Sequence, residues 1–543
     1  MKLRLAAALL ALAGCGAASA QAPTRPRLIV AISVDQFSAD LFAQYRQYFT
    51  GGLRRLEQGV VFPAGYQSHA ATETCPGHST ILTGDRPART GIIANNWVDQ
   101  GAARADKNVY CAEDERVPGS TSEHYTVSDV HLRVPTLGDL MHRADPHSRV
   151  VAVAGKDRAA IMMGGHTPDQ RWWWDGHGFV SHAGVTAPGA VAAVNARIGT
   201  SLGMSREAMP LPVACASRSA PINVPGRAQP VGNGRFARAA GDRSGFRASP
   251  EFDADILDLA GRMRDDMHLG EGPSTDLLAI GLSATDYVGH TYGTGGSEMC
   301  IQVMALDHIL GDFFAALDSD GIDYVVMLTA DHGGHDLPER IIQQGVTDAT
   351  RVDPALGSAA MGQAIGAQLH LQGPVLRGDS PFGDLYVDHT LPVRDQRRAL
   401  AAAVAAYRAH PQVAAVFTAA EIAAAPLPSG PPESWSLLQR ARASFDPARS
   451  GDFYVVLKPH VTPIADGGRG YVATHGSIWD YDRRVPILFW RRGMAGFEQP
   501  LSVETVDIMP TLAALIGLPL VPGSIDGRCL DLLAGPASSC PAR

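Results

Sequence analysis

Four short runs of apolar residues along the chain each end in charged or polar residues. They are LIVAISVD (28–35), RVVAVAGKDR (149–158), DLLAIGLSATD (276–286) and DYVVMLTADHGGH (323–335). Continuous apolar runs of this length are typical of strands that are buried on both faces. The stretches between them carry helical spacing, as in SEMCIQVMALDHILGDFFAAL (297–317). The pattern predicts an α/β fold with a mostly parallel central sheet flanked by helices.

Two segments interrupt this pattern and are predicted to be insertions that form a cap. The first, residues 164–246, is rich in Gly, Pro and Arg and contains RWWWDGHGF (171–179). Its three tryptophans either line a substrate entrance or pack the insertion against the core, and packing is the preferred interpretation. The second, residues 337–470, contains the Ala-rich helical stretch RRALAAAVAAYRAH and the strand-like runs AAVFT and DFYVVLKP.

The core pattern resumes with the strand-like RVPILFW (484–490) and the amphipathic stretch DIMPTLAALIGL (507–518). Asp507 is the predicted N-cap of the helix in that stretch. We therefore predict one catalytic domain over residues 27–543, with two insertions, rather than a string of independent domains.

The N-terminus has the layout of a secretory signal, with a short basic start, an apolar run and then small residues. Cleavage before Gln21 would remove residues 1–20 and release a soluble periplasmic or otherwise exported protein. The sequence Leu-Ala-Gly-Cys ending at Cys15 has the form of a lipoprotein box that would leave an acylated cysteine. Both cuts remain open, with the soluble form preferred. No later apolar run reaches the ~20 residues needed to span a bilayer, so no membrane span is predicted.

The charge and cysteine content of the chain limit which binding partners and which cellular compartment the sequence favours. The net charge is -9 and no long basic run occurs, which argues against nucleic acid as a partner. The cysteines beyond the leader are Cys75, Cys111, Cys215, Cys300, Cys529 and Cys540. An even number in an oxidising compartment predicts disulfides, and we expect the pairs Cys75–Cys111 and Cys529–Cys540.

Carboxylates and histidines follow the predicted strands. They are Asp35, Asp286, His290, Asp331 and His332, joined by His475 in a late THGS sequence. Ligands of parallel α/β sheets bind beyond the carboxyl ends of the strands, so we expect these side chains to converge. Taken singly, each residue is commonly a helix cap or a loop residue. As a set, oxygen and nitrogen donors without thiolates suit zinc or another divalent first-row metal, in one open site or in two.

The stretch TETCPGHST (72–80) precedes a predicted helix whose N-terminus would present N–H groups to an anion. A hydroxyl at this position, beside a metal, would be activated as a nucleophile. The stretch contains several hydroxyl side chains, and their spacing alone does not choose among them.

Taken together, Asp35, Thr74 in TCPGH, Asn95 in GIIANNW, the TDYVGH and ADHGGH elements and the late THGS resemble the alkaline phosphatase superfamily. In particular they are similar to the threonine-nucleophile alkaline phosphatases of the PafA type. The resemblance runs in order over nearly the whole mature chain. It implies two zinc ions per chain, whose ligands would be Asp286, His290 and His475 for one ion, and Asp35, Asp331, His332 and Thr74 for the other.

The resemblance also implies the reaction. Thr74 would be the nucleophile and would form a phosphothreonine intermediate in an exported phosphatase that acts on small phosphate monoesters. Lys156 and Arg158 in VAGKDR match the lysine and arginine of PafA-type monoesterases, and Asn95 would donate a further hydrogen bond. Two positive charges suit the dianionic phosphoryl group of a monoester. We expect a monomer or weak oligomer.

Two alternatives remain open. Relatives with the same two-zinc core include phosphodiesterases and nucleotide pyrophosphatases, although those more often carry Phe-Pro-Asn-His where this chain has Cys-Pro-Gly-His at residues 75–78. The second alternative is an exported protein that captures phosphate without turning it over.

Overall fold

The computed structural model describes residues 25–468 and 470–541, so the predicted signal peptide (residues 1–20) and Cys15 lie outside the described residues. The strands are β1 (Leu28–Val34), β2 (Val60–Tyr66), β3 (Asn96–Val98), β4 (Asn108–Tyr110), β5 (Val150–Ala154), β6 (Gln170–Trp174), β7 (Phe179–Val180), β8 (Asp276–Leu282), β9 (Tyr324–Thr329), β10 (Thr350–Arg351), β11 (Leu376–Arg377), β12 (Gly383–Val387), β13 (Val413–Thr418), β14 (Phe453–Leu457), β15 (Val461–Thr462), β16 (Arg484–Arg491), β17 (Phe497–Glu498) and β18 (Val503–Glu504). The α-helices are α1 (Ala39–Tyr45), α2 (Gly52–Leu56), α3 (Thr74–Ile81), α4 (Pro87–Thr90), α5 (Leu137–Ala144), α6 (Asp157–Gly164), α7 (Gly189–Leu202), α8 (Arg243–Arg247), α9 (Pro250–Asp266), α10 (Ala284–Tyr292), α11 (Ser297–Ser319), α12 (Pro338–Gln343), α13 (Ser358–Leu369), α14 (Val393–Ala409), α15 (Ala419–Ala424), α16 (Leu437–Ser444), α17 (Asp480–Arg483) and α18 (Ile508–Leu515).

A 10-stranded sheet forms the centre of the molecule, in the order β17-β2-β16-β9-β1-β8-β5-β6-β7, with β18 also paired to β2. The strands β9, β1, β8, β5 and β6 run parallel. β16 runs antiparallel to both β9 and β2, and β7 runs antiparallel to β6. The predicted α/β class is therefore confirmed, and its parallel centre lies within a mixed sheet.

Alternate residues of β1 enter two separate hydrophobic cores because successive side chains of a strand point to opposite faces. Leu28, Val30 and Ile32 lie in one core with residues of α1, α9 and α11. Ile29 and Ala31 lie in the other core with residues of α5 and α18. β1 is buried along its whole length, which explains why its sequence is continuously apolar.

Among the described residues, α11 is the helix that bears on the predicted absence of a membrane span. By length and composition it could cross a bilayer, although the sequence pattern predicts no such stretch beyond the leader. In the fold, 56% of the 18-residue apolar stretch of this helix is buried inside the protein. Leu306, Leu310 and Phe314 are fully buried in the core that α11 shares with α9. Burial against the sheet therefore accounts for the apolar composition of this helix.

The aromatic sequence RWWWDGHGF lies at one edge of the central sheet. Within it, β6 pairs in parallel with β5, and β7 returns beside β6. Trp172, Trp173 and Trp174 are at most 5% exposed, and Trp174 packs against Phe252. The preferred packing role is confirmed. The predicted first insertion, residues 164–246, therefore contributes β6 and β7 to the central sheet, where their bulky residues suit a strand.

Residues 337–470 carry a second, smaller sheet in the order β11-β12-β14-β13. Its strands are antiparallel, and α13 and α14 contribute to its own core with Leu385, Tyr407 and Phe453. The Ala-rich stretch forms α14, and the two strand-like runs form β13 and β14, as predicted. This unit contacts the loop between β3 and β4, where the Gln100 side-chain amide donates to the Val387 carbonyl at 2.9 Å.

Disulfides in the described chain join Cys75 to Cys111, Cys215 to Cys300, and Cys529 to Cys540. The two predicted pairs are confirmed, and the remaining pair joins the chain after α7 to α11. Three disulfides in the described residues indicate a protein that folds in an oxidising compartment, as exported proteins do.

Asp507 precedes α18 as predicted, but its side chain does not cap that helix. A turn of 3₁₀ helix at Thr505–Asp507 comes first. The Asp507 carboxylate instead accepts the backbone N–H groups of Glu504 and Arg528 at 3.0 and 2.9 Å. The carboxylate therefore serves the start of the 3₁₀ turn, as the third residue of a capping box does.

Candidate active site

The predicted site residues meet at the carboxyl ends of the parallel strands. Each position follows from the fold: Asp35 follows β1, Lys156 and Arg158 follow β5, Asp286 and His290 lie on α10 after β8, Asp331 and His332 follow β9, Thr74 begins α3, Asn95 precedes β3, and His475 lies in the loop before α17. Strand ends of a parallel sheet share one edge, which is why residues far apart in sequence come together here.

One group of candidate metal ligands consists of Asp286, His290 and His475. The Nε2 atoms of His290 and His475 lie 3.2 and 3.3 Å from the same carboxylate oxygen, Oδ1 of Asp286. Asp286 and His290 are four residues apart on α10, so their side chains lie on one face of the helix. The sequence spacing therefore predicted this pair of neighbours, and the fold adds His475.

A second group consists of Asp35, Asp331 and His332. Nε2 of His332 lies 3.3 Å from Oδ1 of Asp35 and 3.3 Å from Oδ2 of Asp331. All three residues are fully buried. In both groups the candidate ligand atoms lie within 4.8 Å of one another.

The three histidine rings are held by backbone carbonyls. Nδ1 of His290 lies 2.9 Å from the carbonyl of Ala473, Nδ1 of His332 lies 2.8 Å from that of Gly333, and Nδ1 of His475 lies 2.9 Å from that of Thr72. A carbonyl only accepts, so each Nδ1 carries the proton and donates it. Each Nε2 therefore faces the carboxylates and is the nitrogen available to a metal ion, which is the orientation of a metal-ligating histidine.

Carboxylate oxygens and imidazole Nε2 atoms face one another in both groups. Among the residues that the structure describes, Oδ1 of Asp35, Oδ1 of Asp286, Oδ2 of Asp331 and Nε2 of His332 are buried without a hydrogen-bond partner. Buried polar atoms without partners are costly and uncommon. A divalent cation in each group would satisfy them, so the residues present fit bound metal.

The pKa shifts of the candidate ligands indicate an excess of negative charge in the site. Burial, together with the carboxylates of Asp286 and Asp331, raises the pKa of Asp35. Burial alone would lower the pKa of His332, but Asp331 and Asp35 raise it to about 9. Both shifts have the direction expected where carboxylates crowd together and a cation would relieve the repulsion.

Lys156 lies between the two groups. Its Nζ is 2.6 Å from Oδ2 of Asp35 and 2.5 Å from Oδ2 of Asp286. Burial acts to lower the pKa of Lys156, but these two carboxylates outweigh it and raise the pKa above its ordinary value. The side chain is therefore a fixed positive charge at the centre of the site.

Thr74 lies beside this charge at the N-terminus of α3. Its Oγ1 is 3.5 Å from Nζ of Lys156 and 3.5 Å from Nη2 of Arg158. The side-chain oxygen of Asn95 accepts the backbone N–H of Cys75 at 2.8 Å, which leaves the Asn95 amino group to donate elsewhere. The structure thus brings the predicted nucleophile together with all three predicted phosphoryl-binding residues.

The ring of His78 contacts both the nucleophile helix and a candidate ligand. Nδ1 of His78 lies 2.9 Å from the carbonyl of Thr74 and 3.1 Å from Oδ2 of Asp331. The sequence feature that points to a role for His78 is its position in TCPGH, four residues after Thr74. His335 lies 3.3 Å from the hydroxyl of Thr462 and outside both ligand groups.

The chain is similar to alkaline phosphatases along almost its whole length. Alkaline phosphatase PhoK from Sphingomonas sp. is 60% identical over 523 residues, which are 96% of this chain and 93% of that protein. Alkaline phosphatase PhoD from Zymomonas mobilis is 51% identical over 522 residues, 95% of this chain and 90% of that protein. The crystal structure of wild-type alkaline phosphatase PafA matches the fold with a TM-score of 0.80, at 24% identity, over 94% of this chain and 99% of that one.

A family model described as type I phosphodiesterase / nucleotide pyrophosphatase matches residues 29–478. This match covers both groups of candidate ligands and the nucleophile helix. Together with the relatives above, it confirms the resemblance that the motifs indicate, and membership of this superfamily implies bound metal ions. The chain therefore belongs to the alkaline phosphatases, the phosphomonoester hydrolases of the alkaline phosphatase superfamily.

Proposed function

We propose that this chain hydrolyses phosphate monoesters through a phosphothreonine intermediate on Thr74, with two zinc ions bound in the site. The observation that carries the proposal is the position of Thr74, whose hydroxyl lies 3.5 Å from both Lys156 and Arg158. A hydroxyl at a helix N-terminus, beside two fixed cations, is suited to attack an anionic phosphoryl group.

The donor sets support the assignment of the metal. Asp286, His290 and His475 would hold one ion; Asp35, Asp331 and His332, with the Thr74 hydroxyl, would hold the other. Carboxylate and imidazole donors without thiolates suit zinc, and each group leaves room for a further ligand. When bound, zinc ions lower the pKa of the attacking oxygen and stabilise the oxygens that enter and leave phosphorus.

The residues of the chain then act in two steps. In the first, Oγ1 of Thr74 loses its proton and bonds to phosphorus while the bond from phosphorus to the leaving oxygen breaks, and the leaving oxygen takes up a proton and departs as an alcohol. Lys156 and Arg158 stabilise the charge on the remaining phosphoryl oxygens, and Asn95 donates a hydrogen bond to one of them. In the second, water attacks the phosphothreonine, releases inorganic phosphate and restores the Thr74 hydroxyl.

The preference for monoesters follows from the charge of the phosphoryl group. A monoester presents two anionic oxygens and a diester presents one, so a site with both Lys156 and Arg158 favours the monoester. The alternative is a phosphodiesterase or nucleotide pyrophosphatase with the same metal core, the activity in the name of the matching family model.

The test compares hydrolysis of an aryl phosphate with that of the corresponding methyl aryl diester. We expect wild-type kcat/KM to favour the monoester by orders of magnitude. Lys156→Ala and Arg158→Ala should each lower the monoester rate more than the diester rate. If the wild-type enzyme prefers the diester, the proposal is wrong. If Lys156→Ala and Arg158→Ala lower the rates on both substrates equally, these two residues do not select for monoesters.

We further propose that the mature protein is periplasmic and acts as a monomer or weak oligomer. The three disulfides support export. Mass spectrometry of the mature N-terminus distinguishes a chain that begins at Gln21 from one that begins at an acylated Cys15. Light scattering at micromolar concentration measures the oligomeric state.

A further inference from the structure

A short hairpin next to the site connects several of the residues that contact phosphate in the proposed reaction. β3 pairs antiparallel with β4, with Asn96 opposite Tyr110. The hairpin starts directly after Asn95 and ends directly before Cys111, and the backbone N–H of Cys111 donates to the carbonyl of Asn95 at 2.9 Å. Its base therefore holds Asn95, Tyr110 and Cys111 together.

The base of the hairpin is also joined to the nucleophile helix. The Cys75–Cys111 disulfide connects it to the residue that follows Thr74. The backbone N–H of Asn95 donates to the carboxylate of Glu73 at 2.6 Å, and the Asn95 side chain accepts from the N–H of Cys75 at 2.8 Å. Residues 73–75 are thus fixed to the hairpin on both sides of Thr74.

A hydrogen-bond relay extends from the hairpin to Arg158. The Tyr110 hydroxyl donates to Oδ1 of Asp157 at 2.7 Å, and the Tyr125 hydroxyl donates to Oδ2 at 2.8 Å. Nη1 of Arg158 donates to the Tyr110 hydroxyl at 3.3 Å, while Nη2 faces Thr74. Both oxygens of Asp157 are therefore occupied by tyrosine hydroxyls, and Tyr110 presents its oxygen to the guanidinium.

The guanidinium of Arg158 has few other contacts to hold it. In the described part of the chain, its Nε is buried without a hydrogen-bond partner. Arginine gives up much rotamer freedom when it is fixed, and a guanidinium binds two phosphoryl oxygens only in the correct plane. An acceptor that fixes Nη1 in advance lowers the cost of that orientation when substrate binds.

We propose that Tyr110 and Tyr125 are positioning residues for the phosphatase reaction. Together with Asp157 they form a relay that orients the guanidinium of Arg158 toward the phosphoryl group, and in this way they contribute to the preference for monoesters. The inference rests on the proposed function, in which Arg158 binds the phosphoryl oxygens.

The test is a double-mutant cycle with Tyr110→Phe and Arg158→Ala, measured as kcat/KM for an aryl phosphate and for its methyl diester. In the wild-type background, Tyr110→Phe should lower monoester kcat/KM about tenfold, the effect of losing a hydrogen bond to a charged group. Diester kcat/KM should change less. In the Arg158→Ala background the same substitution should change monoester kcat/KM by no more than about twofold, because the relay acts only through Arg158.

Two further variants keep the result interpretable. Tyr125→Phe removes the second hydroxyl on Asp157 and should show a smaller loss of the same kind, also absent in the Arg158→Ala background. Tyr407→Phe is the matched control, because it removes a buried hydroxyl that donates to the Leu356 carbonyl in the separate hydrophobic core of residues 337–470, and it should leave kcat/KM unchanged.

Equal losses from Tyr110→Phe in both backgrounds, or no loss in the wild-type background, would overturn the relay while leaving the proposed function intact. If Arg158→Ala itself leaves monoester hydrolysis unchanged, the proposed role of Arg158 fails, and the relay fails with it.

Discussion

At the scale of single residues, proton positions decide what the site can bind. Backbone carbonyls accept the Nδ1 proton of His290, His332 and His475 and leave Nε2 as the nitrogen available to a metal ion. Three buried carboxylates, Asp35, Asp286 and Asp331, then meet these nitrogens in the same small volume. Metal binding is therefore built into the orientation of the side chains as well as into their identity.

Substitution of one ligand tests this view. His332→Ala should reduce the metal content by about one ion per chain and remove most phosphatase activity, because Asp35 and Asp331 alone give an incomplete site. His335→Ala is the matched control, since this buried histidine lies three residues away and outside both ligand groups. Elemental analysis of the purified variants gives the result, and unchanged metal content in His332→Ala would contradict the ligand assignment.

The strand-end positions of the candidate ligands could be predicted from sequence because each follows a recognisable apolar run. His475 follows no apolar run, so the sequence makes it a candidate ligand only through the histidine in THGS, and the resemblance assigns it to the first ion. Tyr110, Tyr125 and His78 could not be assigned a role, because their partners are residues brought close by tertiary packing. A tyrosine in a short hairpin gives no indication from sequence that it contacts Asp157, 47 residues later.

At the scale of secondary-structure elements, the start of α3 is fixed by close packing. Gly77 lies against the backbone of Asp331, and a Cβ at this position would collide with the Asp331 carbonyl oxygen. The nucleophile helix therefore approaches the strand end that carries two candidate ligands as closely as backbone atoms allow. The need for glycine at this position is the physical reason for the Pro-Gly step in TCPGH.

Gly77→Ala should accordingly destabilise the protein and reduce kcat, because either α3 or the Asp331 segment must shift. The expected loss is about 2 kcal/mol or more of unfolding free energy, as for other overpacked core sites. Gly199→Ala on α7 is the control, since a Cβ there meets no atom within 4 Å. Thermal unfolding and steady-state kinetics measure both effects, and equal behaviour of the two variants would contradict the packing argument.

Element prediction from periodicity succeeded for the long buried strands and for α11 and α14, and it was less accurate at β6. The three tryptophans lie in a Gly-rich segment with little periodicity, and in the fold their strand β6 pairs with the edge of β5. Edge pairing depends on which surface is left open by the rest of the sheet, and local sequence does not encode that. The capping interaction of Asp507 was missed for a similar reason, since a preceding 3₁₀ turn uses its carboxylate.

At the scale of the whole molecule, metal binding and stability are linked. Burial, together with the neighbouring carboxylates of Asp286 and Asp331, raises the pKa of Asp35, so the metal-free site holds unfavourable negative charge. Ligands that bind the folded state alone stabilise it by mass action, by about 4 kcal/mol at a thousand times the dissociation constant. The site therefore joins the strand ends of the central sheet more firmly when it is filled.

Chelation should therefore lower the Tm of the whole protein by several degrees and abolish turnover together. Added zinc should restore both, whereas magnesium should restore neither fully, because histidine ligands suit zinc better. Scanning calorimetry with and without chelator makes the measurement. A Tm that is insensitive to chelator while activity is lost would show that the ions do not contribute to the fold.

The central claim, that Thr74 is the nucleophile, is tested most directly by trapping the intermediate. The enzyme is quenched with acid during turnover of a phosphate monoester, and the peptide that contains residues 72–80 is sequenced by mass spectrometry. We predict one phosphoryl group on Thr74, absent in Thr74→Ala, which should also lose most activity while keeping its metal. A phosphoryl group on Thr72, Ser79 or Thr80, or wild-type turnover by Thr74→Ala, would contradict the account.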